Sequence, residues 1–286
     1  MASLTPKKLS FQGVPGAYSH QACREVFPEA EAIACPTFES TIEAVKSGQA
    51  DLAMLPVENS TYGRVADIHR LLPESGLHIV AEHFLRVQIA MLALPGTHMD
   101  QVKTARSHTV LLGQCSRFLG QHNILPVVGA DTAGSAKQVA EQDDASEAAL
   151  ASELAGEIYG LDVLARGIED RDDNTTRFLI MSPDLEFTKP VENRVLTTFV
   201  FRVRNIPAAL YKAMGGFATN GVNMVKLESY MVDGSFTATQ FYADVIGHPD
   251  EPALARALEE LAYFTDYLEI LGVYPVADFR VASASL

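Results

Sequence analysis

Two stretches of different rhythm predict an α/β chain with a smaller mixed unit at its end. Up to about residue 182, short apolar runs alternate with amphipathic segments, the pattern of a largely parallel sheet flanked by helices. After residue 194 the order of periodicities is strand, helix, strand, strand, helix, strand. Between them, residues 182 to 194 combine prolines and charges and read as a linker.

The elements follow in order. Leu9-Ser10-Phe11-Gln12 reads as a first strand and Gly13-Val14-Pro15-Gly16 as a turn. Ser19 is the expected N-cap of a helix on which Ala22, Cys23, Val26 and Phe27 repeat before Pro28. Phe38, Ile42 and Val45 share one face of a second helix closed by Gly48, and Asp51 to Leu55 is a buried strand leaving through Pro56-Val57-Glu58-Asn59-Ser60. The long apolar run His78 to Leu94 is either two strands or one passing between lobes, which makes it a hinge candidate. Ser107 is the expected cap before Leu111, Cys115 and Phe118. Leu125 to Val128 is a strand, Asp131 or Thr132 caps an Ala-rich helix, and Ala148 to Ala151 is a strand. Ser152 caps a helix closed by Gly160, and Leu161 to Ala165 is a strand. The acidic loop Glu169 to Asp173 then enters Asn174-Thr175-Thr176-Arg177-Phe178. Beyond the linker come strand Val195 to Val203, helix Ala208 to Asn220, strands Asn223 to Val232 and Phe236 to Ile246, helix Pro252 to Phe264 and strand Tyr267 to Val276. That βαββαβ order is ferredoxin-like.

Composition narrows the function. A chain of 286 residues, 48% hydrophobic and 20% charged, has the make-up of an ordinary globular protein long enough for two domains. With 36 acidic against 22 basic residues the net charge is −14, which disfavours nucleic acid as a partner. An acidic small molecule is still admissible, because a few aimed donors in a cleft outweigh a screened surface field. The 3 cysteines show no CxxC or Cys/His spacing, so neither disulfides nor a metal site is expected. Nowhere do about 18 uncharged apolar residues run together, and the first residues lack a leader pattern. The expectation is a cytoplasmic, unanchored protein without cofactor.

Singly, the polar motifs have plain readings: glycine turns, a self-bonded Asn-Ser turn, β-formers entering a strand. Gly13-x-x-Gly16 lacks the third glycine of a dinucleotide site and there is no Walker lysine. Their order along one chain says more. Gly13 to Ser19, Pro56 to Gly63, Ser107-His108 with Gln114-Cys115, Asp131-Thr132-Ala133 and Asn174 to Phe178 resemble prephenate dehydratase. Asn205 to Tyr211 and Asn223 to Ser229 resemble the regulatory ACT module joined to that enzyme.

The resemblance implies a two-lobed, periplasmic-binding-protein-like catalytic domain over residues 1–182, its second lobe at about 86–165, and an ACT domain over 195–276. It implies decarboxylating dehydration of prephenate to phenylpyruvate in phenylalanine biosynthesis. Thr176 is then the essential hydroxyl, donating a hydrogen bond to the departing oxygen. Asn59 and Ser60 orient the substrate, and Glu58 holds them. Arg177 clamps a carboxylate, and Thr175, Tyr18, Ser19, Ser107, His108, Gln114 and Thr132 complete the substrate site. Phenylalanine as effector would meet Asn205, Pro207, Ala208, Ala209, Leu210, Asn223, Met224, Glu228 and Ser229. A homodimer or homotetramer is expected, without the helical chorismate mutase domain of some relatives. The chain departs from the family's pattern at His108-Thr109, where His-Pro is usual, at Ala208 in place of glycine, and at Tyr230-Met231 in place of Arg-Pro. Arogenate dehydratase and a non-enzymatic sensor of small acids are the alternatives.

Overall fold

The computed structural model describes residues 4–185, 187–191, 194–204, 206–231 and 238–283. The chain opens with β1 (Lys8–Gln12), α1 (Tyr18–Val26), β2 (Glu31–Cys35), α2 (Phe38–Lys46), β3 (Leu52–Asn59), β4 (Gly63–Arg64), α3 (Ala66–Leu71) and β5 (His78–Arg86). A second group follows: β6 (Ala90–Ala93), β7 (Thr104–Ser107), α4 (Thr109–Gln114), α5 (Ser116–Gln121), β8 (Leu125–Val128), α6 (Thr132–Gln142), β9 (Glu147–Ala151), α7 (Glu153–Tyr159) and β10 (Asp162–Arg166). β11 (Thr175–Ser182) returns to the first group. The chain ends with β12 (Val195–Val203), α8 (Ala209–Thr219), β13 (Met224–Met231), β14 (Ala238–Ile246), α9 (Pro252–Phe264), β15 (Thr265–Pro275) and α10 (Asp278–Ser283).

Two sheets result. One runs β13-β14-β12-β15-β5-β11-β3-β1-β2 with β4 beside β3, and the other runs β10-β6-β9-β7-β8. The run from residue 78 to 94 is therefore two strands, β5 in one sheet and β6 in the other. The chain crosses between lobes once at residues 87–89 and again at 167–174. The two crossings are laced together: Val87 N–H donates to the Asn174 carbonyl at 2.8 Å, and Ile89 N–H to the Glu169 carboxylate at 3.0 Å. Sequence periodicity does not single out β2. It is an edge strand with one fully buried residue, so it carries almost no apolar signal.

The C-terminal unit has the ferredoxin-like strand order, and its two faces bury different things. Phe199, Phe201, Phe217, Phe241 and Leu261 pack under α8 and α9. Leu196, Val200, Tyr242 and Tyr274 join Ile68, Leu72, Ile79 and Leu179 of the first lobe in one shared core. β15 meets β5 at a single parallel pair, Gly272 and Ile79. A Cβ at residue 272 would lie 2.6 Å from that of Ile79, so only glycine lets the strands approach this closely.

The caps are partly as expected. Ser152 accepts from Ala155 N–H and Asp131 from Gly134 N–H, and Gly160 takes the left-handed conformation that ends α7. α1 starts at Tyr18, so Ser19 lies inside its first turn and caps nothing. His108, not Ser107, caps α4: Ser107 is the last residue of β7, and its buried hydroxyl donates to the Leu150 carbonyl at 2.6 Å.

Candidate active site

β3 and β11 are antiparallel, with Thr176 opposite Asn59 and Arg177 opposite Glu58. Neighbouring residues of a strand point to opposite faces, so these two pairs serve different sides of the sheet.

On one face the side chains of Asn59, Asn174 and Thr176 meet. Asn59 Oδ1 accepts the N–H groups of Thr61 at 2.9 Å and Tyr62 at 3.0 Å. Two backbone donors fix which end of the amide is oxygen. Its Nδ2 then donates to Asn174 Oδ1 at 2.7 Å and to Thr176 Oγ1 at 3.0 Å. Because the Thr176 oxygen accepts from Asn59, its own hydrogen is free to be donated elsewhere. Ser60 clips the strand ends: its N–H donates to the Thr175 carbonyl at 2.9 Å, and its hydroxyl accepts from Thr175 N–H at 2.9 Å while donating to the Asp173 carbonyl at 2.7 Å. Ser60 and Thr175 thus shape the loop.

Beside this triad a cavity of about 230 Å3 opens between the lobes, lined by Thr61, Tyr62, Gly113, Gln114, Glu169, Asp170, Arg171 and Asn174. Tyr62 reaches across the cleft and donates to the Val110 carbonyl at 3.3 Å. Gln114 stands here as expected, and its Oε1 is buried without a partner among the described residues. Arg171 is the guanidinium on this wall. It is held by Asp173 at 2.6 and 2.9 Å, which keeps the Asp173 carboxyl below its ordinary range.

The other face corrects the expectations for Arg177 and Glu58. Arg177 is 1% exposed and does not enter the cleft. Its guanidinium donates to Glu82 at 2.8 Å, Glu58 at 3.0 Å, Asp244 at 2.7 Å and the Tyr274 hydroxyl at 3.0 Å. Burial works against that charge, but Asp244 and its neighbours outweigh it and hold the group protonated. Glu58 sits between Arg177 and Lys226 of β13, away from Asn59's side chain. Burial raises its carboxyl pKa, and the two cations more than reverse this. The physical reason is the two-residue period of a strand: Arg177 follows Thr176 directly, so both cannot face the same ligand.

Other expected residues are spread more widely. The Gly13–Gly16 turn docks on the second lobe, where Ser152 donates to the Gly16 carbonyl at 2.6 Å and Tyr159 to the Pro15 carbonyl at 2.8 Å. The Tyr18 hydroxyl donates to the Gln88 carbonyl at the lobe crossing, and burial raises its pKa. Of the expected site residues only Gln114 lines the cavity; Asn59, Ser60, Thr175 and Thr176 stand beside it through Asn174, and Tyr18, Ser19, Ser107, His108 and Thr132 are not among its lining residues. In the C-terminal unit Asn205 lies outside the described residues. Pro207 and Ala208 are exposed at the start of α8, leading into Ala209 and Leu210, and Asn223 is exposed before Met224. Glu228 and Ser229 are tied to the first lobe, since Arg64 donates to the Ser229 carbonyl at 2.6 Å and lies 3.8 Å from Glu228. Asn174 belongs to the donor motif that the sequence singles out, though no separate role falls to it there; Tyr62, Lys226, Asp244 and Arg280 are contributors that the sequence does not point to. Asn174 is the one with a sequence signal, standing two residues before Thr176 and so on the same face of a strand.

The prephenate dehydratase family model matches residues 9–185. A bifunctional N-acyl-homoserine lactone acylase/prephenate dehydratase of Komagataeibacter europaeus is 51% identical, over 95% of this chain and 97% of that one. The chloroplastic arogenate dehydratase/prephenate dehydratase 1 of Arabidopsis thaliana is 36% identical, over 94% of this chain and 72% of that one. A prephenate dehydratase from Arthrobacter aurescens, solved in complex with L-Phe, superposes with a TM-score of 0.85 at 30% identity, covering 97% of each chain.

Proposed function

Because this chain belongs to the prephenate dehydratase family, lyases that act on prephenate, we propose that it turns prephenate into phenylpyruvate, carbon dioxide and water in the cleft beside Asn59 and Thr176. Residues 1–182 form the catalytic domain in this reading. Residues 195–276 form an ACT domain through which phenylalanine regulates the step.

The observation that carries the reading is the hydrogen bond that the Thr176 oxygen accepts from Asn59. With its oxygen accepting from Asn59, its hydrogen is available to a substrate oxygen. In the reaction the bond from the ring to its carboxylate breaks and the electron pair enters the ring. The C–O bond across the ring breaks with it, and the departing hydroxide takes up a proton to become water. The ring becomes aromatic, so the driving force lies in the substrate. Thr176 donates to the oxygen as charge builds on it; an alcohol is too weak an acid to give its proton up fully, so the assistance is electrostatic. Arg171, released from Asp173, takes the carboxylate-binding role that the resemblance gave Arg177. Gln114 lines the pocket, and Ser60 and Thr175 fix the strand ends beside it.

Thr176→Ala removes one aimed donor and lowers kcat by about a hundredfold or more, measured by the alkaline enolate absorbance of phenylpyruvate. Thr176→Ser keeps the hydroxyl and most of the rate. Prephenate left untouched by the wild-type chain, or consumed equally by Thr176→Ala, refutes the reading. Arogenate, run in parallel, separates the two dehydratase substrates.

Acyl transfer, part of the name of the 51% identical relative, is less well supported. It calls for a nucleophile beside a base, and the hydroxyls of Ser60 and Ser107 are engaged with backbone groups. The three cysteines are buried, their thiols pushed up by burial, Cys23 to about 12. Regulation by phenylalanine is supported by the L-Phe complex of the Arthrobacter protein. Pairing of ACT domains would make the protein a homodimer or homotetramer.

A further inference from the structure

We infer that Asn174 is a positioning residue for the dehydration: it holds the Asn59 amide in place and so decides the direction in which the Thr176 hydroxyl donates. The inference rests on the dehydratase reading above. Asn174 is 4% exposed and its backbone is pinned from both sides. Its carbonyl accepts from Val87 N–H at 2.8 Å, and the next N–H, of Thr175, is held by Ser60 at 2.9 Å. The side chain is thereby delivered to Asn59.

A primary amide has two hydrogens on nitrogen and two lone pairs on oxygen. In Asn59 all four are engaged: Thr61 and Tyr62 on the oxygen, Asn174 and Thr176 on the nitrogen. Removing the Asn174 acceptor leaves one Nδ2 hydrogen without its partner in a half-buried site. The amide can then tilt toward a substrate oxygen. The Thr176 hydroxyl is no longer obliged to turn its lone pair to Asn59, and its hydrogen is lost to the leaving group for part of the time. The chemistry also accounts for a neutral acceptor at 174. A carboxylate would bind the Nδ2 hydrogen at least as well, but it would add a negative charge next to Thr176, in a cavity that Glu169 and Asp170 already line and from which hydroxide departs. Asn174 reaches the reaction through Asn59 and Thr176, so its effect belongs in kcat.

The test uses the full chain with prephenate and compares Asn174→Ala, Asn174→Asp, Thr176→Ala and the Asn174→Ala/Thr176→Ala double variant. Asn174→Ala lowers kcat about tenfold, the worth of one hydrogen bond, with KM held within about twofold. The double variant is no more than about twofold slower than Thr176→Ala, because the two residues act as one unit. Asn174→Asp is slow near neutrality, and its kcat relative to wild type rises as pH falls from about 6 to about 4, the range in which an aspartate gains a proton and again offers a neutral carbonyl. A residue that only holds the fold together would not give that rise.

The inference is overturned if Asn174→Ala keeps kcat within about twofold of wild type, if the two losses multiply, or if the Asn174→Asp ratio is flat with pH. Should Asn174→Ala fail to fold, the pH ratio of Asn174→Asp decides alone. Wild-type protein that leaves prephenate unchanged, or Thr176→Ala with full activity, would instead remove the dehydratase reading itself.

Discussion

Arg177 offers the sharpest separation between what its sequence neighbourhood suggests and what the fold does with it. Replacing it by Met keeps an unbranched apolar stem and removes the guanidinium with its charge. The side chains of Glu82 and Asp244, both 0% exposed, then face one remaining cation, Arg280, at 2.8 and 3.7 Å. Glu58 keeps only Lys226. Breaking a buried ion pair by removing one partner costs about 3–5 kcal/mol, because a desolvated charge is left uncompensated. For 286 residues the entropy of unfolding is about 0.6 kcal/mol per degree, so Tm should drop by about 5–8 °C. Scanning calorimetry on Arg177→Met reads this directly. Adding Asp244→Asn, which removes one stranded charge, should return part of the loss. The network also has a pH signature. The Glu58 carboxyl is depressed in the folded protein, so its contribution is present above the ordinary carboxylate pKa and is lost as pH falls through the lower folded value. An Arg177→Met protein with unchanged Tm and a KM for prephenate raised manyfold would refute the reasoning and return Arg177 to the substrate.

Gly272→Ala puts a methyl against Ile79 where β15 meets β5, and overpacking there should cost about 1–3 kcal/mol; chemical unfolding checks it, together with faster proteolysis in the linker. Ala208 sits at φ +61°, a conformation in which a Cβ is strained, so Ala208→Gly should stabilise the chain by about 1 kcal/mol, read as a rise in Tm. His69 is buried with both ring nitrogens unpartnered among the described residues, and burial lowers its pKa to about 4. Between its ordinary pKa and about 4 the unfolded chain takes up a proton that the folded one refuses, so stability falls as acid is added. His69→Phe should remove about 2 kcal/mol of the stability difference between about pH 7.5 and pH 5 in denaturant titrations.

The elements most legible in the sequence are those whose residues bury a whole face. β3 is a run from Leu52 to Leu55 that is buried throughout, and α9 from Pro252 to Phe264 was readable to its ends because Pro starts it and its apolar residues keep helical spacing. β2, at a sheet edge, and α10, a short helix after the last strand, left no such mark. At the site, Thr176 and Asn59 were found by motif, and their pairing across β3 and β11 is what makes the motif a site. The misplacement of Arg177 was within reach of the sequence, since strand alternation alone puts it opposite Thr176. Its destination was not: Glu82, Asp244 and Tyr274 lie 95, 67 and 97 positions away.

The amino-acid sequence by itself determined the alternation of strands and helices, the ferredoxin-like unit after the linker, and the residues able to do the chemistry, because periodicity and residue type are local properties. Tertiary structure decided that the Thr176 oxygen accepts from Asn59 and that Arg177 serves the core beneath the C-terminal unit. Both depend on hydrogen-bond partners drawn from strands far apart in the chain, and no local pattern carries the register that brings them together.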